Sequence, residues 1–265
     1  MKIETDILIV GTGIAALACA LKIGADKRVL ILTKDKIPST NSAMAQGGIA
    51  AVVDKADNFA NHIEDTLVAG AGLCRDEAVR NFIEQAPARI SDLLSWGVQF
   101  DKDLTREGGH SLRRILHFED QTGAEIHNKL WLQLQKNKNI TILENHFAID
   151  LLLNKKIDPN LTGPTGIVGA YVLDKTTAEV KIIKAKATVL ATGGAGKVYL
   201  YTSNWSGSTG DGIAMAYRAG ARVANLEFMQ FHPTCLYHKD SRNFLITEAI
   251  RGESGELINS QGEAF

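Results

Sequence analysis

Cysteine is scarce in this 265-residue sequence: Cys19, Cys74 and Cys235 are the whole complement, odd in number and far apart. That spacing excludes a disulfide framework and a zinc-ligand cluster, and no metal site is expected. It suits reduced thiols in a cytoplasm, with Cys19 read as a core residue. No apolar run exceeds strand length, which excludes a membrane-spanning helix. The opening Met1-Lys2-Ile3-Glu4-Thr5-Asp6 carries two acids and enters a strand at once, so it does not read as a signal peptide. A net charge of −1 gives nucleic acid or a membrane surface little to attract. Repeats and low-complexity tracts are absent. What remains is the composition of a globular protein with 45% apolar residues, long enough for one large core or two smaller ones.

What is present is glycine in chosen places. The run Asp6-Ile7-Leu8-Ile9-Val10 leads into Gly11-Thr12-Gly13-Ile14-Ala15-Ala16. An apolar strand ending in G-x-G-x-x-G/A is the turn that holds a dinucleotide pyrophosphate. Gly11 makes the tight turn, Gly13 lets backbone approach phosphate, and Ala16 lets helix and strand pack closely. Free N–H groups at the helix start face the negative charge. The second strand, Arg28–Leu32, ends in Thr33-Lys34 rather than the acid that an NAD ribose requires, with Asp35 one step late. The departure points away from plain NAD and towards FAD. Lys34 either meets the adenosine half of that nucleotide or is a solvated strand-end lysine.

Further along, Pro38–Ala51 reads as a small, polar, Gly-rich loop built for close approach. Helices are predicted over Asn61–Ala69 and Glu77–Trp96. The second shows an apolar stripe of Val79, Phe82, Ile83, Ile90, Leu93 and Leu94, and Pro87 is expected to kink or break it. A polar turn covers Arg106–Ser111, and Glu125–Gln135 reads as a helix. Ile140–Leu143 and Ala148–Leu153 read as strands, Asn154–Gly166 as a surface loop, and Val168–Leu173 with Glu179–Ile183 as a hairpin. The strand Ala187–Ala191 ends in a second glycine turn, Thr192-Gly193-Gly194. Two such turns at strand ends are hard to explain by packing alone. Ser208-Thr209-Gly210-Asp211-Gly212 precedes a helix over Ile213–Ala219. Asp211 is read as its N-terminal cap, as a carboxylate for a ribitol hydroxyl, or as both.

These segments, with Ala45-Gln46-Gly47-Gly48, Phe231-His232-Pro233-Thr234 and Thr247-Glu248-Ala249-Ile250-Arg251-Gly252-Glu253, occur in one order. Together they resemble the flavoproteins of the fumarate reductase, succinate dehydrogenase and L-aspartate oxidase superfamily, over the whole chain and most of all the oxidase branch. The resemblance implies an α/β fold: a Rossmann-like FAD-binding domain of the glutathione-reductase type over residues 1–225, and the start of an inserted α+β capping domain over 226–265. Membrane-bound members bond flavin covalently through a histidine where this chain has Asn41, so the FAD is expected to be non-covalent. The implied FAD contacts are Gly11 to Ala16, Lys34, Asn41, Ser42, Ala43, Met44, Ala45, Gln46, Gly47 and Gly48, then Phe147, Ala148, Ala191, Thr192, Gly193 and Asp211.

Five residues are implied to work on substrate. Glu107, in Thr105-Arg106-Glu107-Gly108-Gly109-His110-Ser111, stands where the dicarboxylate reductases carry an apolar residue. A carboxylate there pairs with the ammonium of aspartate and repels substrates lacking an amine; the plain alternative is a solvated loop acid. His232 and Thr247 match residues that bind substrate carboxylates. Glu248 and Arg251, three apart, match a proton path, or form an ordinary surface pair worth under ~1 kcal/mol. The implied reaction is FAD-dependent oxidation of L-aspartate to iminoaspartate, with oxygen or fumarate as acceptor. That product would feed quinolinate synthesis, with a functional link to quinolinate synthase, and then NAD biosynthesis. Full-length members continue well past Phe265, so this chain alone is expected to bind FAD weakly or not at all and to be inactive. The competing readings are a soluble fumarate reductase-like flavoprotein and a non-catalytic FAD-binding remnant.

Overall fold

The computed structural model describes residues 2–232, 234–238, 244–247, 250 and 255–264. In chain order the elements are β1 (Lys2–Val10), α1 (Ile14–Ile23), β2 (Val29–Leu32), α2 (Asn41–Met44), β3 (Ile49–Ala50), α3 (Phe59–Ala69), α4 (Asp76–Ser95), β4 (Ile115–Leu116) and α5 (Thr122–Leu134). There follow β5 (Ile140–Leu143), β6 (His146–Leu153), α6 (Asn154–Ile157), β7 (Ile167–Asp174), β8 (Glu179–Leu190), α7 (Asp211–Arg218), β9 (Cys235–Leu236) and β10 (Phe244–Leu245). They divide into two compact units. The first comprises Met1–Met44 and His127–His232, the second Ala45–Ile126 and Pro233–Phe265.

The first unit is built on a six-stranded sheet of order β5-β2-β1-β8-β7-β6. Strands β5, β2, β1 and β8 run parallel, and β7 and β6 continue antiparallel. All four residues of β2 are buried, as expected of a parallel strand covered on both faces. Leu8, Val10, Leu30 and Leu32 form a cluster with Ala148, Leu151, Ala170, Val172 and Met215 of α7. Truncating such a leucine to alanine costs about 2–5 kcal/mol. This mixed sheet is the α/β arrangement that the glycine turns predict.

Several expectations need correction. Residues 179–183 and 187–191 are not separate strands. Strand β8 pairs antiparallel with β7 through its first half and parallel with β1 from Ile182 onward. Within it Ile183 and Ala185, on either side of Lys184, are buried, so the strand continues without a break where the two expected segments were separated. The Pro38–Ala51 segment contains α2 and β3, and the loop from Asn154 opens with α6. Cys19 is only partly buried, because the inner face of α1 is Ala16, Leu17 and Ala20. Asp211 is not the cap of α7: Gly210 occupies that position at φ +75°, and Asp211 is the first helical residue.

In the second unit α3 is capped by the Asn58 side chain, which accepts from the Asn61 N–H at 2.9 Å. Helix α4 runs unbroken through Pro87. Ile83 on one side of the proline and Ile90 and Leu93 on the other are buried, so both halves are held by packing. Phe82 and Leu94, expected in that stripe, are instead exposed, and Val79 is half-buried. β3 pairs antiparallel with β4, and β9 with β10. Among the described residues no helix is long and apolar enough to cross a membrane.

Candidate functional site

The two glycine turns lie side by side because their strands do. Val10 and Leu190 are partners in the parallel β1–β8 ladder, and Ala191 N–H donates to the Val10 carbonyl at 2.9 Å. Gly11 then turns with φ +115°, and a β-carbon there would stand 2.1 Å from the Ala191 carbonyl oxygen. Only glycine fits. Gly13 is the N-cap of α1, and Ser42 Oγ accepts from Ile14 N–H at 3.2 Å. Ala16 is wholly buried where α1 meets the sheet. The two turns open onto a cleft of about 290 Å³ within the first unit.

One wall of the cleft is polar and ordered by its own side chains. Lys34 Nζ, at the end of β2, donates to Asp211 and, at 2.8 Å, to Thr209 Oγ1. Thr209 in turn donates to Asp211 Oδ1 at 2.7 Å. Lys34 Nζ also sits 5.9 Å from the Phe147 ring centre and 5.6 Å from that of Trp205, within cation–π range. Asn41 donates to Ser208 Oγ at 2.8 Å and accepts from the Trp205 N–H at 2.7 Å. Asn41 thereby ties the Asn204–Ser208 turn to the start of α2.

Of the expected cofactor residues, Gly11, Thr12, Gly13 and Ala15 line the cleft from the first turn, and Ala191, Thr192 and Gly193 from the second. Lys34, Asn41, Ser42, Phe147, Ala148 and Asp211 join them. Ala43 and Met44 do not line it; Met44 is more than half exposed. Thr33, Thr40, His146, Trp205 and Ser208 line the cleft and were missed. Ser208 opens the quoted Ser208-Thr209-Gly210-Asp211-Gly212 segment but was given no role there. Nothing in the local sequence marks Trp205 or His146, which are brought in by chain segments distant in sequence.

In the second unit Glu107 faces the Ala45–Gly48 segment. Gly48 N–H donates to Glu107 Oε1 at 3.4 Å, and a β-carbon at Gly47 would lie 3.0 Å from the same oxygen. Gln46 Nε2 donates to the Leu245 carbonyl at 3.3 Å, joining that segment to β10, two residues before Thr247. Gln46 Oε1 is buried without a hydrogen-bond partner among the described residues. The loop bearing Glu107 is anchored next to a buried charge cluster. Arg114, fully buried, donates from Nε to Asp57 at 2.7 Å and from a terminal nitrogen at 3.0 Å, and to Asp65 as well. Asp65 also accepts from Ser111 N–H and Oγ at 2.9 and 2.8 Å. His110 Nδ1 lies 3.3 Å from Arg114, and its ring packs on His62 with centroids 5.5 Å apart. Burial first, and the Arg114 charge second, push both histidines below their ordinary range.

His232 and Thr247 are both half-buried, the first in unit one and the second in unit two. Glu248 and Arg251 lie outside the described residues.

The cleft fits FAD on its own chemistry. Two glycine turns bring backbone to the cleft with no room for a side chain at Gly11. Ser208 and Asp211 place a hydroxyl and a carboxylate there, as sugar hydroxyls require.

Comparison with known proteins gives the same answer. The chain is 50% identical over 270 residues to L-aspartate oxidase 1 of Ralstonia nicotianae, covering 98% of this chain and 50% of that one. It is 48% identical over 275 residues to the L-aspartate oxidase of Pseudomonas aeruginosa, covering 99% and 51%. The chain thus spans about half the length of the curated relatives it matches. Among solved structures, an E. coli quinol fumarate reductase superposes with a TM-score of 0.90 at 30% identity, covering 99% of this chain and 44% of that one. Residues 6–265 match the profile of the FAD binding domain family, and to that family of flavoproteins, alongside the L-aspartate oxidases, this chain belongs.

Proposed function

We propose that the chain provides the FAD site and part of the substrate site of an L-aspartate oxidase. The observation that carries the reading is Glu107, set against the Gly47–Gly48 backbone by a hydrogen bond from Gly48. One carboxylate oxygen is occupied by the backbone, which leaves the other to accept from the substrate ammonium. The similarity to the Ralstonia and Pseudomonas oxidases supports the same assignment.

In this reading residues 1–225 serve as the FAD domain and 226–265 open the cap. The Gly11–Ala16 turn and Ser42 receive the pyrophosphate end. Lys34, Asp211, Phe147 and Ala148 would receive the adenosine and sugar groups, Asn41 would face the ring end, and the FAD would be held non-covalently. Bound flavin supplies the two-electron acceptor for the substrate Cα–H bond. The chain's own residues place that carbon: His232 and Thr247 bind carboxylates, Glu107 binds the ammonium, and Glu248 and Arg251 carry the proton. The product is iminoaspartate, the acceptor is oxygen or fumarate, and the setting is the first step of NAD biosynthesis in the cytoplasm.

The test is an anaerobic visible spectrum with FAD before and after L-aspartate. It is run on this chain alone and on this chain joined to the remaining half of the Ralstonia relative. The joined protein is expected to be bleached by aspartate and not by succinate. Glu107→Gln is expected to abolish the aspartate response. The fold similarity to a fumarate reductase gives the second reading, and a Glu107→Gln protein that keeps full aspartate response would favour it. Bound flavin that aspartate never bleaches would leave a FAD-binding module without turnover.

A further inference from the structure

His127 is absent from every motif in the sequence, yet its side chain reaches the first glycine turn. It lies on α5, is fully buried, and its Nε2 is 2.9 Å from the Thr12 carbonyl oxygen. A carbonyl only accepts, so Nε2 carries the hydrogen and donates. The other ring nitrogen, Nδ1, is buried with no hydrogen-bond partner among the described residues. A proton there would have nothing to bond, so the ring is the neutral Nε2–H tautomer. Burial is also the main cause that pushes His127 below the ordinary histidine range.

The bond falls on a consequential peptide. The Thr12–Gly13 unit is planar and trans, so its C=O and N–H point in opposite directions. Drawing the Thr12 carbonyl towards α5 aims the Gly13 N–H away from it. Gly13 and Thr12 both line the cleft. Neither turn residue has the side-chain bulk to hold that peptide itself: Gly11 and Gly13 flank Thr12 and leave the backbone on both sides unusually free. Backbone bonds hold Gly11 N–H to the Leu32 carbonyl and the Gly13 carbonyl to Leu17 N–H, and the buried donor on α5 holds the Thr12 carbonyl between them.

The geometry points to His127 as a positioning residue for cofactor phosphate: it fixes the Thr12–Gly13 peptide so that the Gly13 N–H is set for an anionic diphosphate before the ligand arrives. The inference rests on the reading of this turn as the pyrophosphate site. It assigns to the chain a ligand-orienting residue outside the turn, one that acts only through the Thr12 carbonyl. An aliphatic residue at 127 would leave that carbonyl buried and unpaired and the peptide free to rotate. Glutamine carries an N–H donor at about the reach of Nε2 and cannot titrate.

The experiment compares the 265-residue chain with H127L and H127Q, using FAD and ADP as probes. Dissociation constants come from flavin fluorescence and calorimetry, and amide exchange at Gly13 and Ile14 is followed by NMR. H127L is expected to weaken FAD and ADP alike by about tenfold, the loss of one hydrogen bond to a buried acceptor, and H127Q to return both to within about twofold of the parent. A role confined to packing would lower the melting temperature of H127L and leave both dissociation constants unchanged, which overturns the proposal. So does an H127Q protein as weak as H127L. If the parent chain takes up neither probe, the proposal that this chain alone provides the FAD site fails separately, and the exchange rates decide on His127. Faster Gly13 exchange in H127L, restored in H127Q, upholds the orienting role; equal rates in all three proteins refute it.

Discussion

Gly11 and Ala191 meet where two parallel strands end: a β-carbon on Gly11 would lie 2.1 Å from the Ala191 carbonyl oxygen. The turn therefore excludes every side chain twice, by contact and by its φ of +115°. Gly11→Ala is expected to cost about 3 kcal/mol or more and to abolish FAD uptake. Gly193→Ala is the internal control. Its φ is +71° but nothing lies within 4 Å of the added carbon, so only the left-handed backbone cost of about 1 kcal/mol remains. Urea midpoints of the two variants measure the difference. Equal losses would mean that the contact with Ala191 is unimportant.

Lys34 supplies the one cation shown here bonded to Asp211 and Thr209 in the cleft wall. Lys34→Met keeps an unbranched apolar stem and removes the charge near the Phe147 and Trp205 rings. FAD affinity is expected to fall about tenfold, in line with a charge-assisted hydrogen bond. The salt dependence of binding should shrink with it, because the pair is only partly buried and open to screening. Titration at two ionic strengths checks both; an unchanged salt slope would remove Lys34 from the site.

Arg114 and Asp57 carry side-chain exposures of 0% and 2%. Arg114 bonds Asp65 as well as Asp57, so removing Arg114 leaves Asp57 buried without its cation, and removing Asp57 leaves Arg114 with Asp65 alone. Asp57→Ala or Arg114→Met is expected to cost about 3–5 kcal/mol. The double variant should cost less than the sum, since Asp57 is then removed together with the Arg114 cation it pairs. A denaturant double-mutant cycle gives the coupling, and additive losses would show that the pair is not a unit.

The parts legible in the sequence were those carried by local rules. Gly11, Gly13 and Ala16 announce their turn because each does a separate job within six residues. The second turn at Thr192-Gly193 is equally plain. Strand β8 was not, because its charged residues alternate with buried ones and its partner changes from β7 to β1 midway. Pro87 misled because tertiary burial of Ile83, Ile90 and Leu93 holds the helix on both sides. His127 and Trp205 left no local trace, since a side chain that arrives from another element obeys the fold rather than its neighbours in sequence. Glu107 stood out by type against the family pattern, but its bond with Gly48 could only be seen in three dimensions.

Three histidines are expected to weaken the fold in mild acid. His62, His110 and His127 are all held below their ordinary range, in each case first by burial; Arg114 adds to it for the first two. In the unfolded chain they titrate near pH ~6.5. Below that pH the unfolded state binds protons that the native state refuses, so stability falls as pH falls, by up to about 1.4 kcal/mol per pH unit for each histidine. The loss levels off only below the depressed native values. The carboxylates behave differently. Asp6, held low chiefly by Lys186, and Asp174, held low chiefly by Lys181, keep their stabilising charge far below this range. The decline expected between pH ~6.5 and ~5 is therefore assigned to the three histidines and not to Asp6 or Asp174. H127Q, which retains a donor and cannot bind a proton, should flatten the profile by one proton in the unfolding linkage. Urea unfolding from pH 8 to 5 reads this directly: a profile flat down to pH 5 would mean that all three rings take up protons in the folded state as readily as in the unfolded one.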